Sequence, residues 1–412
     1  MVEAQKTLWL INQYASTPQT GMGGRHYYLA RELARQGHRV YLIAAGYTHL
    51  LRELPEIFGE VRIQSSDGFH FVWLRMPKYS EAHSKKRVYN WFLFAWLLGR
   101  LPGVIPGRPD AILYSSPSLV GYLGARRLAR RYGVPLTFEL RDIWPLTLTG
   151  IGGYSRHHPF IRFLQWIEDK AYRESARLVS NLENAVEHIR SRGGAPEKFA
   201  WLPNGFSADE TDNLEPLSVE ENSLVPANKF KIGYTGTLGR ANDLDVLIAA
   251  AQQLREYEDI VFVLVGKGRE KPRLQRLVRE KGLANVIFVD PIAKARVQTM
   301  LARFDVCFIG WRNEPMYRFG IGANKIPEYF LSGRPVLHAY SGKGDPVAEA
   351  GAGLTVPAGD AEAVARAVLT LKAMAPEQRA EMGRNGRAFA AARYEYGALA
   401  VRLAEVMLGN GQ

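Results

Sequence analysis

The sequence predicts an α/β fold made of two doubly wound domains. Three observations carry that expectation. At 412 residues the chain is long enough for two to three domains. In both halves, short apolar runs alternate with helix-length amphipathic segments, the pattern of βαβ units and a parallel sheet. In both halves a glycine-containing loop follows the first strand.

In the first half, Thr7–Asn12 reads as a strand, and the loop Gly21-Met22-Gly23-Gly24 follows it. A helical pattern then runs from Arg25 to Gln36 and is closed by Gly37, a good residue just past a helix end. Arg39–Ala44, Phe69–Leu74 and Ala111–Tyr114 read as strands, the last leading through Ser115-Ser116-Pro117 into a helix that runs to Arg131. Leu136–Leu140 is a strand that ends at Arg141-Asp142. In the second half, Lys231–Tyr234, Val261–Val265, Val286–Val289, Val306–Ile309, Val336–Leu337 and Leu354–Val356 read as strands. Gly236 to Arg240 forms the loop after the first of these, Asp243–Tyr257 a helix, and Tyr394–Met407 a last helix. The expected domains are 1–205 and 230–390. An acid-rich linker spans 206–229 and holds Asp209, Glu210, Asp212, Glu215, Glu220 and Glu221. A C-terminal helical segment, 391–412, could cross back to the first domain. In open α/β sheets ligands bind beyond the carboxyl ends of the strands. A ligand in a cleft between two facing domains is therefore expected.

Composition narrows the class. Hydrophobic residues at 47% and charged residues at 23% exclude disorder, collagen and coiled coil as whole-chain descriptions. The 53 Lys and Arg exceed the 41 Asp and Glu, and the excess is uneven. Residues 1–205 hold 27 basic and 16 acidic side chains, net +11, whereas residues 206–412 hold 26 and 25, net +1. The first half should therefore meet something anionic. Cys307 is the only cysteine and lies in an apolar strand, which excludes an intrachain disulfide and fits a reducing compartment. The start, MVEAQKTLWLINQY, lacks a basic region followed by a long apolar stretch, so no secretory signal is expected. The apolar run Val88 to Gly99 is short of the roughly 20 residues a spanning helix needs.

Five segments could carry chemistry. In the loop Gly21–Gly24, Gly23 and Gly24 let backbone amides at a helix N-terminus approach a phosphate, although His26 stands where a GxGxxG motif has its last glycine. A plain tight turn is the other reading. Glu139-Leu140-Arg141-Asp142 places charges at the end of a buried strand, which is costly unless they are used or paired. Arg141 could hold a phosphate and Asp142 could take a proton from a hydroxyl; an internal Arg–Asp salt bridge is the alternative. In YRFGIGANKIPEYFLSGRPV (Tyr317 to Val336), Asn324 and Lys325 precede a helix with Glu328 in its first turn. A lysine at a helix N-terminus is unfavourable unless an anion compensates. Lys325 is therefore a phosphate candidate, and Glu328 either a ribose-binding carboxylate or a first-turn acid. Asp243-Leu244-Asp245 opens a helix, where Asn242 and Asp243 read as capping residues and no metal site is expected. Histidine spacing supports none elsewhere. Lastly, Lys78 to Arg108 joins Lys85, Lys86, Arg87, Arg100 and Arg108 to Trp91, Trp96 and other aromatics, against the single acid Glu81. That mixture suits an anionic membrane interface or an acceptor, the alternatives being a helix packed on its own domain or an oligomer contact.

Taken together, the segments resemble the retaining glycosyltransferases of family 4, with the GT-B fold of two Rossmann-like domains. The closest likeness is to the branch that builds bacterial O-antigen and capsule oligosaccharides, including the N-acetyl-L-fucosamine transferases. The carriers are GMGGRHYYLARELARQGHRV, FELRDIWP, LPNGF at Leu202–Phe206, GYTGTLG at Gly233–Gly239, LVGKG at Leu264–Gly268, NKIPEYFLSGRPV, and EAGAGLTVPAGD at Glu349–Asp360. The resemblance implies a nucleotide-sugar donor held mainly by the second domain. Gly268 would lie near the base, Glu328 on the ribose, and Asn324 and Lys325 near the diphosphate. This chain departs from the family pattern at two places. Gly320 stands where many members have the first Glu of a Glu-x7-Glu pair, and Thr237 and Asn242 replace a common Arg and Lys. Lys325, Arg240 or Arg141 would then supply the phosphate clamp. The implied activity is metal-independent transfer of an N-acetylated amino or deoxy sugar from a UDP-sugar, with no cofactor beyond that donor. The acceptor would be undecaprenyl-pyrophosphate-linked or otherwise lipid-linked, at the inner face of the plasma membrane in the cytoplasm. Rival readings are a UDP-N-acetylglucosamine epimerase of the same fold, a non-catalytic partner subunit, and a basic nucleic-acid-binding protein. The last is disfavoured because its cations are interleaved with apolar runs.

Overall fold

A computed structural model describes residues 5–21, 23–79, 84–150, 152–209 and 214–409. Met22 of the glycine-rich loop, Glu81, and the acids Glu210 and Asp212 lie outside the described residues. The chain divides into two compact units, Met1–Pro203 with Tyr396–Gln412, and Asn204–Glu395.

The first unit carries an eight-stranded sheet. Its strands are β1 (Thr7–Asn12), β2 (Arg39–Ala45), β3 (Val61–Ser66), β4 (Phe69–Leu74), β5 (Ala111–Ser115), β6 (Leu136–Leu140), β7 (Arg177–Ser180) and β8 (Phe199–Trp201). Their order is β3-β4-β2-β1-β5-β6-β7-β8, parallel except for the β3–β4 hairpin at one edge. The central strands β1, β5 and β6 are almost wholly buried, which is why they read as continuous apolar runs rather than alternating ones. Helices α1 (Arg25–Arg35), α2 (Lys85–Leu97), α3 (Val120–Tyr132), α4 (Leu146–Gly150), α5 (Pro159–Glu174) and α6 (Ala185–Ser191) connect them. The hairpin strand β3, the short β7 and β8, and helix α5 go beyond the elements read from sequence.

In the second unit the short helix α7 (Val219–Ser223) has a capping box formed by Ser218 and Glu221, within the stretch expected as linker. Its six-stranded sheet is parallel throughout. The strands are β9 (Phe230–Thr235), β10 (Ile260–Val265), β11 (Val286–Val289), β12 (Val306–Gly310), β13 (Val336–Ala339) and β14 (Gly353–Val356), in the order β11-β10-β9-β12-β13-β14. The helices are α8 (Leu244–Gln253), α9 (Lys271–Glu280), α10 (Val297–Leu301), α11 (Lys325–Ser332), α12 (Pro346–Ala350), α13 (Ala361–Ala373) and α14 (Pro376–Arg393). Cys307 is fully buried in β12, where burial pushes its thiol up to about 12 and leaves it unreactive.

The last helix, α15 (Tyr396–Leu408), belongs to the first unit. Tyr396 stacks on Tyr28 of α1 at 5.1 Å, Gln36 donates to the Gly397 carbonyl at 2.9 Å, and Arg402 donates to the Trp201 carbonyl at 3.0 Å. Leu399, Leu403 and Met407 complete the core beside β1 and β2.

Candidate functional site

In the second unit, three chain segments converge beyond the carboxyl end of β9. The loop after β9 crosses the loop after β10. Leu238 donates to the Lys267 carbonyl at 2.9 Å, and Glu270 donates back to Leu238 at 3.2 Å. The crossing needs glycine at 268, because a Cβ there would lie 2.0 Å from the Leu238 carbonyl oxygen. Glycine at 236, with φ +138°, leaves room for a side chain from the third segment: a Cβ would meet the Lys325 Cε at 2.6 Å.

Lys325 opens α11, and its ammonium is enclosed. Its Nζ donates to Asn242 Oδ1 at 2.8 Å and lies 5.3 Å from the centre of the Tyr234 ring. Asn242 in turn donates to the Thr237 carbonyl at 2.8 Å, as does the Tyr234 hydroxyl at 2.7 Å. Tyr329, fully buried on α11, accepts from the Thr235 amide at 2.9 Å and so ties that helix to the end of β9. Burial pushes the Lys325 ammonium down to about 8, with only a partial offset from the Glu328 carboxylate. A cation that is desolvated, set at a helix N-terminus and without a bonded carboxylate is placed to receive an anion. The expectation that Asn242 and Asp243 cap α8 is corrected here. Asp243 makes no capping bond and sits at φ 44°, while Asn242 is occupied with Lys325 and Thr237.

The neighbouring candidates are spread around this point. Thr237 and Asn324 are exposed. Glu328 pairs with Lys294, and its carbonyl accepts from Gln298 at 3.0 Å. Arg240 lines a charged recess of about 330 Å³ with Asp243, Asp245, Glu270, Arg273 and Arg312, a set that does not include Lys325. Gly320, at φ 95°, ends the 3-10 turn Pro315–Phe319. That segment is held by a network the sequence reading missed. The Trp311 indole donates to Nε2 of the fully buried His338 at 3.0 Å, so the proton on Nδ1 goes to Asp345 Oδ1 at 2.9 Å. Desolvation works against the Asp345 carboxylate, but the hydrogen bonds it accepts from His338 and from the Val347 and Ala348 amides prevail and hold it below its ordinary value. His338 stacks on Tyr340, whose hydroxyl donates to the Tyr317 carbonyl at 3.1 Å. Nothing in the apolar run Val336–Ala339 signals these partners.

In the first unit, the glycine-rich loop delivers α1 to the end of β6. Gly23 and Gly24 take φ 66° and 86°, and Gly24 precedes the helix with no side-chain cap. Arg25 and His26 then turn inward onto Glu139, which is 1% exposed. Arg25 Nε donates to one carboxylate oxygen at 2.8 Å and His26 Nε2 to the other at 2.6 Å. The remaining guanidinium nitrogens of Arg25 donate to the carbonyls of Leu202, at 2.8 Å, and Pro203. Burial alone would raise Glu139; Arg25 and His26 overcome it and hold the carboxyl well below its ordinary range. Burial lowers His26 in spite of that carboxylate.

Arg141 and Asp142 follow directly. The Arg141 amide donates to Ser116 Oγ at 2.8 Å, whereas its side-chain Nε is buried and makes no hydrogen bond among the described residues. Burial lowers the guanidinium's affinity for its proton, opposed by Glu139. The alternative of an Arg141–Asp142 salt bridge is not met. Asp142 instead accepts from Trp144 Nε1 at 3.1 Å and from Thr147 Oγ1 at 2.8 Å, which anchors α4. Each carboxylate oxygen retains a further lone pair.

On α2, Lys85 and Lys86 are exposed, and Trp96 is 54% exposed with Arg100 over its ring at 4.7 Å. Trp91, expected with them on a membrane-facing or acceptor surface, is corrected to a core residue. It is 5% exposed, donates to the Tyr14 hydroxyl at 2.8 Å, and packs on Trp144 and Phe160. Arg87 also turns to Tyr14, at 3.1 Å. Among the described residues, no helix is long and apolar enough to cross a membrane, and no group of three or more His, Cys, Asp or Glu is arranged to hold a metal.

Two α/β units on mainly parallel sheets, the second with glycine loops crossing beyond the carboxyl ends of its strands, have the architecture of the GT-B fold. Comparison with known proteins agrees. Residues 20–205 match the family model "Glycosyl transferase 4-like domain", and residues 229–373 match "Glycosyl transferases group 1". The chain is a glycosyltransferase of the GT-B, family-4-like kind. It is 26% identical over 278 residues to the "Putative colanic acid biosynthesis glycosyl transferase WcaI" of Escherichia coli, covering 65% of this chain and 68% of that one. Sucrose-phosphate synthase from Thermosynechococcus elongatus superposes with a TM-score of 0.75 at 18% identity, covering 98% of each chain. HepE of Anabaena, solved in complex with UDP, superposes with a TM-score of 0.67 at 17% identity, covering 98% of this chain and all of that one.

Proposed function

We propose that this enzyme moves a sugar from a UDP-sugar to a lipid-linked oligosaccharide in the synthesis of a cell-surface polysaccharide, with retention at the anomeric carbon. The sugar is an N-acetylated amino or deoxy sugar. The enclosed ammonium of Lys325 is the observation that carries the donor assignment. It stands where the common Arg and Lys of the family are replaced by Thr237 and Asn242. Lys325 and Asn324 take the diphosphate, Glu328 the ribose and Gly268 the base edge, with Arg240, Thr237, Gly23 and Gly24 around the donor. Arg141 and Asp142 act on the acceptor side.

The acceptor hydroxyl attacks on the face the diphosphate leaves. The C1–oxygen bond to phosphate breaks as the new C1–oxygen bond forms, and the hydroxyl proton passes to a phosphate oxygen. The cations are needed because negative charge builds on that diphosphate in the transition state. The exposed Lys85, Lys86 and Trp96 of α2 draw the enzyme to the anionic inner face of the plasma membrane, each basic residue contributing about 1 kcal/mol. The likeness to a protein named for colanic acid biosynthesis supports the polysaccharide setting, and the likeness to a UDP-bound fold supports the nucleotide.

A thermal-shift screen of nucleotides tests the donor. UDP should stabilise the protein more than GDP or ADP. No response to any of them would refute the donor site, as would full transfer activity in both K325A and E328A.

A further inference from the structure

We propose that the recess between α4 and α5 of the first unit binds the sugar-pyrophosphate headgroup of the lipid-linked acceptor; this rests on the acceptor class proposed above. The recess holds about 710 Å³, within the size range of ligand sites. One wall is α4, through Leu146 and Thr149, the helix that Asp142 anchors. The opposite wall is α5. Between them stand two pairs of side chains of complementary chemistry.

Tyr154 and Trp166 are about half exposed, at 54% and 48%, and both line the recess. Aromatic faces open to water suit the apolar faces of sugar rings. Arg156 and Arg162 also line it, are exposed, and make no ion pair among the described residues. No acidic residue occurs between Asp142 and Glu168, and Asp169, the acid that lines the recess, is bound to Arg192. Two guanidinium forks are well matched to phosphate oxygens. The other charges of the recess are already committed, since Arg192 binds Asp169 through two bonds of 2.8 and 2.7 Å. The contrast with the recess of about 500 Å³ beside β6 is informative. There Arg126 and Arg130 both bind Glu174 and have no need of an external anion.

A lipid is favoured over a soluble anion by what lies beside Trp166. Its ring stacks with Phe163 at 6.1 Å, and Phe163 stacks with Phe92 of α2 at 5.9 Å. Phe92, Tyr89 and Trp96 are exposed on α2, the helix that carries Lys85 and Lys86. An aromatic ladder thus runs from the recess to a basic, membrane-compatible helix. A headgroup in the recess has an apolar path for its chain.

The test is calorimetric titration with farnesyl pyrophosphate and with inorganic pyrophosphate, in saturating UDP so that the donor site is filled. Wild type should bind the farnesyl compound more tightly than pyrophosphate. R156E/R162E should weaken both by at least about tenfold, the neutral R156Q/R162Q pair less. W166A should weaken the farnesyl compound alone. Wild-type affinity in the charge-reversed pair would overturn this site while leaving the acceptor class standing. Failure of wild type to bind farnesyl pyrophosphate would overturn the acceptor class and this site with it.

Discussion

Replacing Lys325 by methionine should stabilise the empty enzyme and weaken its hold on UDP. Burial moves the ammonium from its ordinary 10.5 to about 8. At about 1.36 kcal/mol for each pH unit, charging Lys325 in the empty site costs about 3 kcal/mol near neutral pH. Methionine removes that cost but leaves Asn242 Oδ1 without its donor, a loss of about 1–3 kcal/mol. The balance is a gain of about 1 kcal/mol at pH 7. Its pH dependence is the sharper signature. The unfolded chain holds the lysine proton more tightly than the folded protein does, so wild-type stability rises with pH between about 8 and 10.5. Below about 8 both states are protonated and the slope vanishes. Chemical denaturation of both proteins at pH 7, 8, 9 and 9.5 should show the advantage of K325M shrinking by about 1.4 kcal/mol per pH unit above pH 8. UDP should respond in the opposite sense, because the diphosphate prefers the protonated ammonium. At pH 9 about a tenth of the free wild-type protein carries that proton, so UDP should bind about tenfold more weakly than at pH 7. K325M should bind weakly at both. Parallel pH curves for the two proteins, in stability or in UDP affinity, would refute the assignment of Lys325 as a desolvated anion receptor.

Other perturbations probe separate parts of the molecule. E139Q removes the buried carboxylate that Arg25 and His26 share, and should cost about 3–5 kcal/mol in a denaturation midpoint, as breaking a buried ion pair does. G268A places a methyl against the Leu238 carbonyl, so the crossed loops must part, and UDP affinity should fall by more than tenfold in a calorimetric titration. W91A should lower stability by about 3–5 kcal/mol, whereas W96A should leave the melting temperature within a degree or two and reduce flotation with anionic vesicles. Raising salt from 50 to 500 mM should release the protein from such vesicles but change UDP affinity far less.

What was legible in the sequence depended on how local its physics was. The central strands of both sheets could be read because burial on both faces makes them uninterrupted apolar runs, as in Trp9–Ile11 and Val261–Val265. The edge strand β3 could not, because VRIQSS is half exposed along its length and shows little apolar content. Helix α5 has buried residues at Ile161, Leu164, Ile167 and Glu168. The last is an acid whose burial depends on Tyr172 at 2.8 Å and His188 at 3.0 Å, the second of them on another helix. Asn242 looks like a helix cap until Lys325, far along the chain, claims its carbonyl oxygen. Trp91 and Trp96 sit on one helix with apolar residues on several sides, so periodicity cannot say which ring faces the core. The glycines at 236 and 268 were visible as loop residues. The close approaches that demand them were not, since these involve Lys325 and Leu238 from other segments.

The uneven charge follows from how each ligand is met. On the proposed function, a diphosphate in the second unit meets the desolvated ammonium of Lys325, where attraction between charges is stronger than in water. That half can therefore bind an anion while carrying a net charge of only +1. The membrane of the same proposal is met through water, where a Debye length of about 8 Å screens every charge and each basic residue contributes little alone. Recognition there needs many exposed cations. The net +11 of the first half fits that need, because its buried cation Arg25 serves Glu139, while Lys85, Lys86, Arg156 and Arg162 remain exposed. Charge count alone would have pointed to the first half as the anion-binding half for both substrates. The proposed donor site reverses that inference, because desolvation as well as number sets what a cation is worth to a phosphate.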